Sequence, residues 1–233
     1  MLYTGPKFPY QKLEVETLES GVRHYIDPVN KVPLPSVTTI LSKTGDKSFL
    51  DDWKARIGED RAERIKTDAG VLGGIMHQHI EAVLEGTERP QGRNMLHTLA
   101  RKMSQRIIDE GISRIDEVWG IEANLYMPKL YAGTGDLIAV YDGKPSIIDH
   151  KNTRNMKTKE MINDYFCQGS AYVLAHNELY GTDIDQVVIF MTDRHLKFEA
   201  FTVSGPELEQ YAVQYLQRVM EYIPEHAPHL FTS

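Results

Sequence analysis

Two aspartates lie close together in the middle of the chain, where carboxylates could do chemistry. Asp136 precedes the run Leu-Ile-Ala-Val-Tyr, whose alternation is typical of a strand. Asp142 and Gly143 then form a typical hairpin turn. The apolar residues 146–148 predict a second strand, which leads directly to Asp149. The hairpin therefore predicts that Asp136 and Asp149 lie side by side on neighbouring strands.

Paired carboxylates of this kind are suited to holding a divalent metal ion. Neighbouring negative charges repel each other unless a cation lies between them, and hard oxygen ligands favour Mg2+ or Mn2+. Lys151 lies two residues after Asp149, so both side chains point to one face of the strand. A lysine beside such a metal can orient an attacking water and stabilise charge that develops on a phosphate. The alternative is an exposed hairpin whose charges are only solvated.

A helical segment upstream supplies a candidate nitrogen ligand. At about 100° per residue, the apolar side chains of residues 72–84 form one arc, with His79 inside it and His77 at its edge. We therefore expect His79 to be buried and His77 to face a cleft. Glu81 is one turn from His77 and either assists the same metal or faces solvent. Glu122, on the preceding strand, is a third candidate carboxylate or an ordinary strand-edge residue.

Taken in order along the chain, these residues resemble the PD-(D/E)xK nucleases, and specifically the RecB-like exonuclease branch. The segments that carry the resemblance are Pro35 to Leu41 with Trp53-Lys54, Gly73 to His77, Asp136 with Asp149-His150-Lys151, and Gln168 to Tyr172. The first resembles the N-terminal segment of phage and mitochondrial exonucleases of this branch. The second and the last resemble its Gly-x-x-x-His and Gln-x-x-x-Tyr helices. Together they cover roughly residues 33 to 175.

The resemblance implies an α/β fold with a restriction-endonuclease-like core, in which helices flank a mixed central sheet, and an α-rich N-terminal part. We expect a single nuclease domain over 1–233, with 1–70 as an N-terminal hairpin and helical lobe and 71–233 as the nuclease core. The implied metal ligands are His77, Asp136, Asp149 and the backbone carbonyl of His150. The resemblance also implies catalytic roles for Lys151 and Gln168 beside the two aspartates.

Further residues are candidates for contact with nucleic acid. Tyr172 is implied by the resemblance, although a half-buried helix face would explain the spacing of Gln168 and Tyr172 equally simply. Ser36 or Thr38 is a natural N-cap, and the first turn of the following helix either binds a phosphate or is only capped. Basic residues that leave the active strand are expected to contact phosphates. They are Arg154 and Lys157.

The whole pattern predicts metal-dependent hydrolysis of DNA, with Mg2+ as the ion, Mn2+ as its substitute and no need for ATP. The α-rich first half is expected to admit only single-stranded ends, which describes an exonuclease of DNA replication, recombination or degradation. Replication or recombination proteins are the expected partners, and a phage is an attractive source. The alternatives are a structure-specific endonuclease of the same fold, a non-catalytic nucleic-acid-binding subunit, and a metallohydrolase with another substrate.

Composition narrows the classes further. The 233 residues are 41% hydrophobic, which suffices for one full core, and no apolar run suggests a signal peptide or membrane span. We therefore expect a cytoplasmic protein, in the host cytoplasm if the source is a phage. Cys167 is the single cysteine, which excludes a disulfide framework and a four-cysteine iron–sulfur cluster. The net charge of −7 argues against a general nucleic-acid coating protein.

The elements that must position these residues follow from periodicity and turn signals. Helices are predicted at 48–67, 72–85, 92–110, 159–180 and 206–222, and strands at 117–127, 130–141, 145–151, 185–192 and 197–203. A short hairpin is predicted over 21–34, with its turn at 27–30. Because two successive glycines are a poor helix interior, the helix that carries His77 is expected to begin at Gly73 and Gly74.

Overall fold

The computed structural model describes residues 3–17, 23–46 and 48–231. The strands are β1 (Val15–Thr17), β2 (Arg23–Ile26), β3 (Pro33–Pro35), β4 (Ile115–Met127), β5 (Tyr131–Tyr141), β6 (Lys144–Thr153), β7 (Gln186–Asp193) and β8 (Phe198–Ser204). The α-helices are α1 (Val37–Thr44), α2 (Ser48–Ile57), α3 (Glu59–Glu85), α4 (Met95–Glu110), α5 (Asn163–Tyr180) and α6 (Gly205–His226). Among the described helices, none has both the length and the apolar composition that crossing a membrane requires.

A mixed five-stranded sheet forms the centre of the fold, with its strands in chain order from β4 to β8. The pairs β4–β5, β5–β6 and β7–β8 are antiparallel, whereas β6 and β7 are parallel. A parallel pair needs a long crossover, and here α5 supplies it. The architecture is therefore the predicted one, a mixed sheet flanked by helices, with a small antiparallel sheet and helices in the N-terminal part.

The sheet is buried on both faces, and β7 shows how. Val187 and Ile189 belong to the apolar core that includes residues of α1, α5 and α6, whereas Val188 and Phe190 belong to the core that includes residues of α3 and α4. Every residue of β7 is buried. An uninterrupted apolar run of this kind is what a strand covered on both faces requires. Ile147 of β6 belongs to the first core with residues of α5, and Ile148 belongs to the second core with residues of α3. The two cores therefore hold α5 and α3, which carry candidate site residues, on either side of β6.

The register of the long strands brings three carboxylates into one row. Asp142 and Gly143 have φ values of +50° and +76°, the left-handed pair that a tight two-residue hairpin needs. The resulting register pairs Leu137 with Ile148, so the preceding Asp136 lies opposite Asp149. Between β4 and β5, the pairs on either side of the next position place Glu122 opposite Asp136 in the same way. Glu122, Asp136 and Asp149 therefore lie side by side across β4, β5 and β6.

The helix that carries His77 is longer than predicted. It runs without a break from Glu59 to Glu85, so the prediction that it begins at Gly73 and Gly74 is wrong. The boundary is Gly58, whose φ of +88° separates α2 from α3 and splits the predicted helix 48–67. Each glycine costs about 1 kcal/mol in a helix interior. Burial of the apolar face of α3 against α4 and the sheet outweighs that cost.

The N-terminal hairpin has the predicted turn. Asp27 Oδ1 accepts hydrogen bonds from the backbone N–H groups of Val29 and Asn30, both at 2.9 Å. Its Oδ2 accepts one from the backbone of Lys129 at 3.1 Å, which ties the hairpin to the end of β4. Residues 21 and 22 of the predicted hairpin lie outside the described residues. The pairing of β1 with β2 was not predicted, because β1 is only three residues long.

Two glycine-to-alanine substitutions should change stability in opposite directions. A Cβ at Gly169 would lie 2.4 Å from Val187 Cγ1, so Gly169→Ala should lower the free energy of unfolding by about 1–3 kcal/mol. A Cβ at Gly70 would meet no other heavy atom within 4 Å, so Gly70→Ala should raise it by up to about 1 kcal/mol. Urea unfolding of both variants measures the difference. Equal changes would contradict the close packing of α5 on β7.

Candidate active site

An open cleft of about 760 Å3 lies between α3, β6 and the start of α5. Seven of the residues singled out from the sequence line it. They are Thr38, His77, Glu81, Glu122, His150, Lys151 and Gln168. As periodicity predicts, His77 faces this cleft and His79 is buried, with 1% of its surface exposed. The fold therefore brings residues from α1, α3, β4, β6 and α5 to one place.

His77 is held by the backbone of the neighbouring strand. Its Nε2 donates to the carbonyl oxygen of His150 at 2.9 Å. Its Nδ1 lies 3.7 Å from Asp136 Oδ2 and 3.9 Å from Glu122 Oε1. The bond at Nε2 fixes the ring and, in the neutral form, leaves the lone pair of Nδ1 turned towards the carboxylates. His77 is thus oriented as a ligand for an ion that the same carboxylates would bind.

A glycine makes this approach of α3 to β6 geometrically feasible. A Cβ at Gly73 would lie 2.7 Å from the side-chain nitrogen of Asn152 on β6. Asn152 in turn donates to the carbonyl of Ala69 at 3.3 Å. A side chain at position 73 would displace the Asn152 amide from this place. The spacing from Gly73 to His77 therefore has a physical reason: one turn of helix carries both the close contact and the ligand.

The donor set fits a hard divalent metal ion. Ligand atoms of His77, Asp136 and His150 lie within 4.8 Å of one another, and so do those of His77, Glu81 and Glu122. Burial raises the pKa of Glu81, and the neighbouring Glu122 raises it further. Negative charges crowded in this way favour a bound cation, and carboxylate oxygens together with imidazole nitrogens can bind a divalent metal ion.

Asp149 is paired with Lys151 instead of joining either of those groups. Lys151 Nζ lies 2.6 Å from Asp149 Oδ2, and both residues point to the face of β6 that α5 covers. Burial alone would lower the pKa of Lys151, but the carboxylates of Asp149 and Asp136 outweigh it and raise the pKa. The ammonium therefore stays charged at neutral pH. Asp149 forms an ion pair with Lys151 and lies beside Asp136 in the carboxylate row.

Gln168 links the two members of this ion pair. Its Oε1 accepts from Lys151 Nζ at 3.3 Å, and its Nε2 donates to Asp149 Oδ1 at 3.2 Å. An amide offers one acceptor and two donors, so it can satisfy an ammonium and a carboxylate together. Gln168 is buried and therefore fixes the direction in which Lys151 points. Gln168 is therefore placed to position Lys151, which it contacts directly.

His150 contributes through its backbone more than through its ring. Its N–H donates to Asp136 Oδ2 at 2.8 Å, and its carbonyl accepts from His77. The carbonyl oxygen has a second lone pair, which a metal ion could use. Burial, followed by the nearby His77, lowers the pKa of the His150 ring to about 3, so the ring is neutral. The ring stacks on Phe190 with centroids 6.0 Å apart.

The structure places the residues expected to contact nucleic acid in different surroundings. Tyr172 is buried in the core with 3% of its surface exposed, and it packs on Gly133, where a Cβ would lie 2.7 Å from the tyrosine oxygen. Ser36 caps α1 by accepting from the backbone N–H of Thr39 at 2.9 Å. Thr38 lines the cleft, and Arg154 is exposed beyond the end of β6. Tyr172 and Ser36 therefore have structural partners within the protein.

Sequence reasoning missed Tyr165, which also lines the cleft. The ammonium groups of Lys151 and Lys157 each lie 5.0 Å from the centroid of its ring. Tyr165 precedes Gln168 by three residues, so the two share one face of α5. That spacing was the available signal. It was hidden because Tyr165 lies outside the Gln-x-x-x-Tyr pattern.

The chain is similar in sequence to two named exonucleases. The chain is 26% identical over 212 residues to the human mitochondrial genome maintenance exonuclease 1, an overlap of 84% of this chain and 60% of the human protein. This similarity is consistent with the resemblance of the sequence motifs to the PD-(D/E)xK nucleases. The mouse mitochondrial genome maintenance exonuclease 1 is 28% identical to this chain over 138 residues, or 56% of the chain and 40% of the mouse protein. The chain thus spans about half of the length of these relatives.

Other comparisons give weaker likenesses. A candidate exonuclease from Eubacterium rectale superimposes with a TM-score of 0.47 at 12% identity, covering 70% of this chain and 66% of that one. An alkaline exonuclease from Laribacter hongkongensis gives a TM-score of 0.31 at 15% identity, with coverages of 67% and 85%. No family model matches the chain.

The ionisation of His77 should make the stability of the metal-free protein depend on pH. Burial would lower the pKa of His77, but Glu122, Asp136, Asp149 and the His150 carbonyl raise it to about 9. Because the folded pKa exceeds the ordinary value of 6.5, the stabilisation is complete below pH 6.5 and is lost as the pH rises through 9. Urea unfolding in EDTA should show this loss in the wild type and not in His77→Gln. The same pH profile for both proteins would contradict the assignment.

Proposed function

We propose that this protein is a divalent-metal-dependent exonuclease that hydrolyses phosphodiester bonds of DNA from single-stranded ends. The observation that carries the proposal is a cleft lined by Glu122, His77 and Lys151. His77 contacts Asp136 and Lys151 contacts Asp149, so the lining residues connect the cleft to the whole carboxylate row. Genome maintenance and exonuclease stand in the names of the two curated relatives, which supports DNA as the substrate and an end as the point of attack.

The residues that would hold the metal are His77, Asp136, Asp149 and the carbonyl of His150, with Glu122 and Glu81 as auxiliary carboxylates. His77 Nδ1 lies 3.7 Å from Asp136 Oδ2 and 3.9 Å from Glu122 Oε1, which supports this set. When bound, a divalent ion supplies Lewis-acid activation of the phosphoester and neutralises charge. Asp149 lies opposite Asp136 in the carboxylate row, which supports its place in this set, while its Oδ2 also pairs with Lys151. Mg2+ is the expected ion, with Mn2+ as its substitute.

The protein's own groups would perform the remaining steps. Lys151 would orient the attacking water and stabilise the negative charge that develops on the phosphate in the transition state. Gln168 and Asp149 would keep the ammonium charged and fixed through their contacts with it. Water attacks phosphorus, the bond to the leaving oxygen breaks, and that oxygen takes up a proton. No nucleotide cofactor enters this balance.

The walls of the cleft support the proposed preference for single-stranded ends. Thr38 of α1 and the helix α3 stand on its sides, so a substrate must pass between helices. A Cβ at Gly70 or Gly74 of α3 would meet no other heavy atom within 4 Å, and this open space in the cleft lining supports passage of one strand. We propose a role in DNA replication, recombination or degradation, with proteins of these processes as partners, and in the host cytoplasm if the source is a phage.

Linear and closed circular single-stranded DNA should separate the candidate activities. In Mg2+, the wild type should release nucleotides from linear DNA and leave circles intact, and Lys151→Ala should lower turnover about 100- to 1000-fold because it removes transition-state charge stabilisation. Lys144→Ala, an exposed lysine at the other end of β6, is the matched control and should retain activity.

Two outcomes would contradict this proposal. Cleavage of circles at the linear rate would make the protein a structure-specific endonuclease of the same fold. DNA binding with no cleavage in Mg2+ or Mn2+ would make it a non-catalytic nucleic-acid-binding subunit.

A further inference from the structure

Tyr165 and Lys157 form a polar pair at the edge of the cleft, outside the metal and lysine cluster. Lys157 Nζ donates to the Tyr165 hydroxyl oxygen at 3.2 Å. Since an ammonium has no acceptor, the tyrosine oxygen is the acceptor, and its own hydrogen remains available to donate. Lys157 keeps two further N–H donors. The pair therefore presents several hydrogen-bond donors, one of them on a positively charged group, and no negative charge. This is the chemistry that binds a phosphate.

The charge of Lys157 lacks a carboxylate partner. Across the described ranges, no aspartate or glutamate oxygen lies within the 4.0 Å of an ion pair with Lys157 Nζ, whereas Lys151 is paired with Asp149 at 2.6 Å. Both ammonium groups lie 5.0 Å from the ring centroid of Tyr165, so they are at most twice that distance apart. One positive group thus serves the reacting phosphate, and a second, uncompensated one stands beside it.

The segment that carries Lys157 is fixed to the sheet. The backbone N–H of Met156 donates to Asp193 Oδ2 at 3.2 Å. Asp193 Oδ1 accepts from the backbone N–H groups of His195 and Lys197, both at 2.9 Å. These bonds place Lys157 by the structure of β7 and its following turn. A lysine on an anchored segment loses less freedom when it binds an anion than a lysine on a free loop does.

Two glycines of α3 leave part of the cleft wall without side chains. A Cβ added at Gly70 or Gly74 would meet no other heavy atom within 4 Å. Both positions lie on α3 and line the same cleft as Tyr165. This space can accommodate the sugar and base of a nucleotide whose phosphate is held near Tyr165. The cleft is thus shaped for a polymer substrate that extends past the reacting bond.

We propose that Tyr165 and Lys157 form a second phosphate subsite, which binds the phosphate next to the scissile one on a single DNA strand. This inference rests on the proposed function and assigns the two residues to substrate binding, with no part in bond cleavage. It explains why a tyrosine lies between two lysines at the mouth of the cleft.

Oligonucleotides with one neutral methylphosphonate test the subsite directly. A series of linear single strands carries the neutral linkage at successive positions from the end, and dissociation constants are measured with Ca2+ in place of Mg2+ to keep the strands intact. For the wild type, neutralising the linkage next to the scissile one should weaken binding about tenfold. In Lys157→Met, binding of the unmodified strand should be weaker by a similar factor, and the penalty at that linkage should disappear.

Three further measurements sharpen the result. The slope of log affinity against log salt should fall by about 0.7 in Lys157→Met, since one phosphate contact to a single strand is lost. Lys157→Arg should restore the penalty, and Tyr165→Phe, which keeps the ring and loses the hydroxyl, should reduce it in part. Lys144→Met removes the same charge outside the cleft and should leave the whole series unchanged.

The subsite and the proposed function fail in different ways. If the wild type cleaves linear DNA in Mg2+ and Lys157→Met, with unchanged urea unfolding, still shows the full penalty at the neighbouring linkage, the subsite is wrong and the function stands. If the wild type cleaves no DNA in Mg2+ or Mn2+, the proposed function is wrong, and the subsite assignment falls with it.

Discussion

Mutual repulsion of carboxylates in one row of a buried sheet is the constraint on which the site depends. Glu122, Asp136 and Asp149 occupy facing positions on β4, β5 and β6, where like charges directly opposite each other destabilise a sheet. Two basic side chains offset this repulsion, one on each side of the row. Lys151 pairs with Asp149, and a His77 with raised pKa faces the other two. A divalent ion would complete this neutralisation, which is why the donor set favours one.

His77 reaches the carboxylate row because α3 lies close to β6. Gly73 has no side chain, so Asn152 of β6 can bond to the backbone of α3, and the carbonyl of His150 reaches His77 one turn further on. Because α3 is continuous, its contact with β6 near Gly73 also fixes the position of His77. Packing of its apolar face makes this helix stable despite its glycines. Two of these glycines, Gly70 and Gly74, line the cleft and leave open space there for a substrate.

Local sequence predicted the parts of the site that local rules control. The hairpin turn and strand alternation placed Asp136 beside Asp149, and helical periodicity turned His77 to the cleft. The start of α3 was missed because tertiary packing overrode the low helix propensity of glycine. The burial of Tyr172 was also missed, since it depends on Gly133, on a strand far away in sequence. Long-range packing of this kind leaves no periodic signal.

The most direct test of this account is the binding of Mn2+ to the metal-free protein by isothermal titration calorimetry near pH 7.5. The wild type should bind Mn2+ and release protons, because a His77 with a pKa of about 9 must lose its proton to act as a ligand. Asp136→Asn should bind at least about tenfold more weakly. Equal affinity in both proteins, or binding without proton release, would contradict the claim that the carboxylate row and His77 form the metal site.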